Sequence, residues 1–353
     1  MSKARAYAAL KPADHLQPFQ FERRSVGEDD VLIRIHYCGI CHTDLHMVNN
    51  DWGMSQYPMV PGHEIIGKVE AVGSKVKRFS IGDWVGVGCM VDSCRTCDAC
   101  IEGEEQFCQQ GMTMTYGGQD LKSPGQITQG GYSDHIVVDQ HFVVNIPKTL
   151  SMSSVAPLLC AGITTYSPLK YWQVQPGQLV GVIGLGGLGH LAIKFAKAMG
   201  AKVCMITSTR SKRDDAKRLG ADYVIDPNRD DEMLQYNNQF DLLLNTIPVA
   251  HEINRYLPLM KRNKTMVLVG GTEVDMHSIN LVFGRKQVAG SLIGGMHETQ
   301  EMLDFCGKHQ ILPDIELINL AEINTAYQRL ASGDVKYRFV IDMMSLQADK
   351  ASD

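Results

Sequence analysis

Two groups of residues in this sequence have types and spacings suited to chemistry. The first is Cys94, Cys97, Cys100 and Cys108, a Cys-x2-Cys-x2-Cys-x7-Cys run. Four soft thiolates so spaced can close a tetrahedral shell around zinc and leave no position for water, so the site holds a loop together and does no chemistry. Three ligands within seven residues need a tight knuckle, which the neighbouring Gly88 and Gly103 would permit. A redox-active Cys-x2-Cys pair is the competing reading, but four cysteines in one short segment fit a metal better. The second group is Gly184-Leu185-Gly186-Gly187-Leu188-Gly189, a match to G-x-G-x-x-G. A glycine turn alone is a weak signal. Here it follows a predicted strand at 179–183 and opens a predicted helix at 187–199, the context in which such a loop seats a dinucleotide pyrophosphate at the positive end of the helix.

The next predicted strand, 202–206, bears on which nicotinamide is bound. NAD wants an Asp or Glu at the end of that strand to bond the ribose hydroxyls. This chain has Thr207-Ser208-Thr209-Arg210-Ser211-Lys212-Arg213 there, and no carboxylate until Asp214. A carboxylate ~4 Å from a 2′-phosphate would cost about 4 kcal/mol per charge pair at an effective dielectric near 20. Hydroxyl donors with a nearby cation remove that cost and add charge-assisted hydrogen bonds. Thr207, Ser208, Thr209 and Lys212 therefore favour NADP, against the plainer reading of a solvated basic loop at a helix start.

A third group is dispersed. Cys41, His63 and Cys160 would make a Cys2His zinc site with an open fourth position, a catalytic type. They lie far apart in the sequence, and a lone Cys or His is more often a packed core residue, so spacing does not assign them.

The elements that must position these groups fall into two textures. Residues 1–154 read as short strands punctuated by Gly and Pro, including 31–35, 66–72, 82–87 and 135–138, and predict a mainly β, barrel-like domain. Residues 155–295 alternate strand and helix, with strands at 179–183, 202–206, 223–225, 241–244, 266–269 and 288–291, and predict a doubly wound parallel sheet of Rossmann type. The tail, 296–353, returns to helical segments and a last strand at 337–342, and is assigned to the first domain, whose zinc lobe spans 89–110.

Composition excludes several function classes. The 353 residues are 44% hydrophobic and 21% charged, ordinary values for a globular chain long enough for two domains. A net charge of −5 and a pI near 6.2 argue against a nucleic-acid or membrane-surface binder, and the residues around Cys94–Cys108 lack the basic and aromatic clustering of a zinc-knuckle nucleic-acid module. There is no signal-peptide run and no membrane span; the longest mostly apolar stretch, 179–195, is broken by glycines, His190 and Lys194. Ten cysteines without a secretion signal point to a reducing, cytoplasmic setting.

The motifs together resemble a known family. Cys-Gly-Ile-Cys-His-Thr-Asp-Leu-His at 38–46, Tyr-Pro-Met-Val-Pro-Gly-His-Glu at 57–64 and Gly-Val-Gly-Cys at 86–89 carry the resemblance. So do the four-cysteine lobe, Pro-Leu-Leu-Cys-Ala-Gly-Ile-Thr-Thr-Tyr-Ser-Pro-Leu at 157–169, the glycine motif and Gly-Asp-Val-Lys-Tyr-Arg-Phe-Val at 333–340. From about residue 5 to 342 the chain is similar to the cinnamyl alcohol dehydrogenase branch of the medium-chain, zinc-dependent alcohol dehydrogenases, whose first domain is GroES-like. Bacterial and fungal broad-specificity aldehyde reductases of that branch are the nearest likeness. The resemblance implies two zinc ions per subunit and NADP(H), with Cys41, His63 and Cys160 as catalytic zinc ligands and Glu64 able to approach the metal. It implies Asp44 as a carboxylate orienting the zinc ligands, a role that on sequence alone competes with simple turn capping. Thr43 and His46 match a proton relay that runs through the nicotinamide ribose. Thr164 matches a position against the nicotinamide ring, and Arg338 and His42 match pyrophosphate contacts. Trp52, Met54, Cys89, Met114, Leu292 and Ile293 would line an apolar substrate pocket suited to benzylic, allylic or medium aliphatic aldehydes. Trp52, in place of a smaller aliphatic residue, and Met114, near a tryptophan of the plant lignin-pathway enzymes, depart from those enzymes. The family also implies a homodimer joined through the cofactor domains, with 288–291 as the edge strand at the two-fold axis. An enal or iminium reductase on the same scaffold is the alternative, opposed by the intact zinc ligands, Thr43 and His46.

Overall fold

The computed structural model describes residues 1–271 and 273–348; Thr272 and residues 349–353, the end of the expected catalytic domain, lie outside the described residues. The chain forms two compact units, Met1–Cys160 with Gly294–Asp353, and Ala161–Ile293.

The first unit is built on an 11-residue strand, Asp30–Ile40. One side of it pairs antiparallel with Ile65–Val72; the other pairs with His135–Asp139 over residues 30–34 and with Arg338–Asp342 over residues 37–40. Trp84–Val87, Val144–Asn145 and Ile315–Asn319 complete this seven-stranded sheet, all of it antiparallel except the pairing of Ile315–Asn319 with Arg338–Asp342. Val31, Ile33 and Ile35 point into the core, as a period of two requires, but beyond them Cys38 and Ile40 are the buried residues. The change of phase falls at a bulge between Ile35 and Tyr37, where one extra residue flips the inward face; Cys41, just past the strand's end, is buried as well.

The second unit is a six-stranded, all-parallel sheet. Its order is Tyr223–Ile225, Lys202–Ile206, Leu179–Ile183, Phe240–Asn245, Met260–Leu268, Gln287–Gly290. Strand order reverses beside Leu179–Ile183, so the loop that leaves this strand opens at the switch point where such sheets bind ligands. Helix Gly189–Ala198 buries Leu191, Ala192, Phe195 and Ala196 completely, the apolar stripe expected from their spacing. It starts two residues later than expected because Gly187 and Leu188 remain in the loop. Strand Met260–Leu268 begins six residues earlier than its apolar run, since the polar stretch Lys261-Arg262-Asn263-Lys264 concealed the pairing of Met260 with Phe240 across a register shift. No helix among the described residues is long and apolar enough to cross a membrane.

Candidate active site

Cys41 ends the central strand and caps helix His42–Asn49. His63 and Glu64 immediately precede strand Ile65–Val72, and Cys160 follows the short helical turn Ala156–Leu159. Two strand ends and one turn thus converge, and one donor atom from each of Cys41, His63, Glu64 and Cys160 lies within 4.8 Å of all the others. The Cys41 and Cys160 sulfurs are 3.9 Å apart. Tetrahedral zinc with Zn–S bonds of about 2.3 Å holds neighbouring thiolates about 3.8 Å apart, so the donor set fits that ion.

Asp44 organises this cluster. One carboxylate oxygen accepts a hydrogen bond from the Cys41 backbone N–H at 2.8 Å, closing the helix cap. The other accepts from Gly62 N–H at 3.1 Å and lies 3.0 Å from His63 Nδ1. A carboxylate only accepts, so Nδ1 carries a proton, and Nε2 is left as the nitrogen a metal would take. Asp44 therefore bonds both the start of the helix and the histidine ring. Burial disfavours the imidazolium, but Asp44, with the nearby Cys89 and Cys41, outweighs it and raises the His63 pKa well above the ordinary value. The Cys41 thiol is pulled well below the usual thiol range, first by its hydrogen bond with Cys160 and then by the Arg338 and His63 charges; Cys160 is pushed up in turn. The sulfur pair thus shares a proton that a metal would displace.

Glu64 is fully buried and pairs with Arg338 at the head of strand Arg338–Asp342. Burial raises its pKa to about 8 against the attraction of Arg338, and its second oxygen makes no hydrogen bond. The Arg338 side chain, expected at the pyrophosphate, is thus held by Glu64 inside the metal cluster. Across 274 residues no local signal announces this pair.

Thr43 and His46 lie three apart on helix His42–Asn49, on one face. His46 Nδ1 is 2.7 Å from Asp51 Oδ2, just beyond the helix, and its ring packs 5.2 Å from that of Trp52. Sequence reasoning missed Asp51; an acid one turn past a histidine, after the left-handed Asn50, was the available signal. His42 is half-buried, and burial lowers its pKa. Of the expected substrate residues, Trp52 and Met54 are exposed, and Cys89 bonds the Leu159 carbonyl and lies against Cys160. Met114 packs with Met47, Met59 and Tyr116, whose ring stands 5.8 Å from that of His63. Leu292 and Ile293 close the second unit and Thr164 is buried in its helix Ala161–Tyr171.

Cys94, Cys97, Cys100 and Cys108 also bring their sulfurs within 4.8 Å, with Cys94 and Cys100 at 3.8 Å. Backbone N–H groups of Cys97, Cys94 and Gln109 donate to the sulfurs of Cys94, Cys108 and Cys97, a setting for thiolates. The knuckle is not made at Gly88, which packs against the Leu159 carbonyl. Arg95 makes it instead, at φ 59°, with its guanidinium tied to Asp92 at 2.7 Å and Asp139 at 3.1 Å. Gly103, at φ 80°, turns the chain back, as expected. All ten cysteines are free.

In the second unit Gly184 takes φ 91°, and a Cβ on Gly189 would sit 2.0 Å from the Gly184 carbonyl, so helix and strand close together only with glycine there. A Cβ on Gly186 would meet nothing, which leaves the approach open for a pyrophosphate. Gly187 and Leu188 continue the loop, and Thr246, unmarked in the sequence, donates to the Ile183 and Gly184 carbonyls beneath it. Lys212 reaches back to the Leu185 carbonyl at 2.9 Å, drawing the 207–212 loop to the glycine turn. Thr207 is buried and accepts from Thr209 N–H, while Ser208 and Thr209 are exposed.

Comparison with known proteins matches this architecture to a class. Residues 27–148 correspond to the alcohol dehydrogenase GroES-like domain and residues 187–308 to the zinc-binding dehydrogenase domain. The chain is 50% identical to the aldehyde reductase YahK of Escherichia coli, over 97% of each protein. A cinnamyl alcohol dehydrogenase of Sorghum bicolor superposes with a TM-score of 0.94 at 44% identity, over 97% of this chain and 98% of that one. A cinnamyl alcohol dehydrogenase of Helicobacter pylori, solved with NADP(H), superposes with a TM-score of 0.91 at 43% identity, again over 97% and 98%. The chain belongs to the cinnamyl alcohol dehydrogenase branch of the zinc-dependent medium-chain alcohol dehydrogenases.

Proposed function

We propose that this enzyme reduces aromatic, allylic or medium aliphatic aldehydes to primary alcohols with NADPH. The observation that carries the reading is the buried Cys41–His63–Cys160 cluster, with the histidine tautomer set by Asp44. When bound, zinc supplies a Lewis acid for the substrate carbonyl and reduced nicotinamide supplies the hydride. Cys41, His63 and Cys160 hold the metal, and Arg338 draws the Glu64 carboxylate aside. Thr43 donates a proton to the product oxygen. His46, whose Nδ1 is committed to Asp51, presents Nε2 for the resupply of that proton. Trp52, Met54, Cys89 and Met114 give the substrate an apolar setting that disfavours charged aldehydes.

The loop 207–212, free of acids and carrying Lys212 beside the glycine turn, supports NADP over NAD, as does the NADP(H) complex of the Helicobacter relative. The edge position of Gln287–Gly290, with Phe283, Val282 and Ile279 exposed on the same unit, supports a homodimer formed through the cofactor domains. Ten free thiols are consistent with a reducing cytoplasm. The test is oxidation of NADPH and NADH by purified, zinc-loaded protein with cinnamaldehyde. Fast NADPH turnover, with NADH slower by one or more powers of ten, is expected. No turnover with either would move the activity to another carbonyl or to an iminium substrate.

A further inference from the structure

Behind the zinc ligands lies a line of hydroxyls that neither the metal nor the relay uses. Tyr132 is completely buried, just ahead of strand His135–Asp139, and donates through its hydroxyl to Asp44 Oδ2 at 3.2 Å. Tyr327, buried on helix Ile323–Ala331, donates in turn to the Tyr132 hydroxyl at 3.4 Å. The Tyr132 ring packs directly against Gly62, the residue before His63; a Cβ on Gly62 would stand 2.7 Å from the ring. The same Gly62 N–H donates to Asp44. Tyr132 therefore touches the His63 support twice, once through the carboxylate that orients the imidazole and once through the backbone that carries it.

We infer that Tyr132, backed by Tyr327, is a positioning residue for the catalytic metal: it fixes Asp44, and through Asp44 the imidazole of His63. The Asp44 carboxylate accepts from Cys41 N–H, Gly62 N–H, His63 Nδ1–H and Tyr132 O–H. Of these donors the phenol alone comes from outside the two segments that carry Cys41 and His63. It pins the carboxylate against rotation that would release the histidine, and Tyr327 holds the phenol's own orientation. Burial and the Asp44 charge keep both phenols protonated far above neutrality, so they stay donors throughout the working range of the enzyme. Groups that orient metal ligands typically contribute about 10–100-fold in metal affinity. Tyr132 acts one bond further out, so the lower end applies.

The inference rests on the zinc assignment above, and one experiment separates the two. Zinc content of the wild-type protein is measured first, then its release to a colorimetric chelator. The catalytic phase is the one absent from His63→Ala. Tyr132→Phe, which keeps the ring beneath Gly62, is expected to speed that phase about tenfold and Tyr327→Phe two- to threefold. The Cys94–Cys108 phase should keep its rate in both variants. In an Asp44→Asn background Tyr132→Phe should add nothing further. Equal acceleration of both phases would show general loosening and overturn the positioning role, and so would an unchanged catalytic phase in both tyrosine variants. A wild-type protein holding a single zinc would overturn the metal assignment itself.

Discussion

Lys212→Ala isolates the group on which the cofactor assignment turns. The Lys212 ammonium is half-buried and bonds the Leu185 carbonyl inside the glycine turn, and burial lowers its pKa. A 2′-phosphate brings about 1.5–2 negative charges to this loop. A hydrogen bond to a charged partner contributes about 1.5–3 kcal/mol, so removing the ammonium should weaken NADPH about 10–150-fold. NADH has no phosphate there and loses only what the Leu185 contact contributes to the shape of the turn, about 1 kcal/mol or about fivefold at most. Fluorescence titration of both nucleotides against wild-type and variant protein measures the two losses separately. An equal loss for NADPH and NADH would refute the phosphate assignment. Lys212 would then be a brace for the glycine turn, and the hydroxyls of Thr207, Ser208 and Thr209 would face a ribose.

Three further outcomes are expected. Cys41→Ser or His63→Ala should abolish turnover and remove one of two zinc ions by atomic emission, while NADPH still binds with near wild-type affinity; lost NADPH binding would mean the site is misplaced. Cys97→Ser should give poorly soluble protein lacking the other zinc, because a closed thiolate site contributes folding energy; stable, active variant would contradict that role. Burial opposes ionisation of Asp30, but Arg24 and Lys122 outweigh it and bring its carboxyl down to about 2. Its folded pKa lies below the unfolded value, so the stabilisation is complete above that value and is lost as pH falls through about 2. Asp30→Asn should then cost about 1–2 kcal/mol at neutral pH, allowing for water at the rim, and almost nothing near pH 2. Urea midpoints at the two pH values measure this, and equal losses at both would sink it.

What the sequence disclosed was what short range encodes. The four cysteines fall within fifteen residues, and their spacing announces the metal without help from the fold. The glycine turn is equally local, and so is the short apolar run of strand Leu179–Ile183 that leads into it. The Cys41–His63–Cys160 set is not local, and only resemblance to a family joined its members. Its supports were harder still. Tyr132 and Tyr327 reach Asp44 across 88 residues and, through one another, across a further 195, and nothing about a tyrosine in a β-rich segment distinguishes a carboxylate clamp from core packing. Arg338 shows the same limit, since its motif suggests a phosphate contact and nothing local announces the ion pair its guanidinium makes with Glu64. At the Arg95 knuckle, propensity pointed to glycine, but an arginine takes the left-handed turn with its guanidinium held by the nearby Asp92 and the distant Asp139.

The difference in range between the two metal sites also orders them in time. All four cysteines of the lobe have been made once Cys108 is added, whereas the catalytic set waits roughly 50 residues more for Cys160, about 3–10 s at ~5–20 residues per second. Strand Asp30–Ile40, which carries Cys41, waits longer still for Arg338–Asp342, the neighbour that brings Glu64 its counter-charge. The nascent chain thus offers zinc its closed site first and its reactive site last.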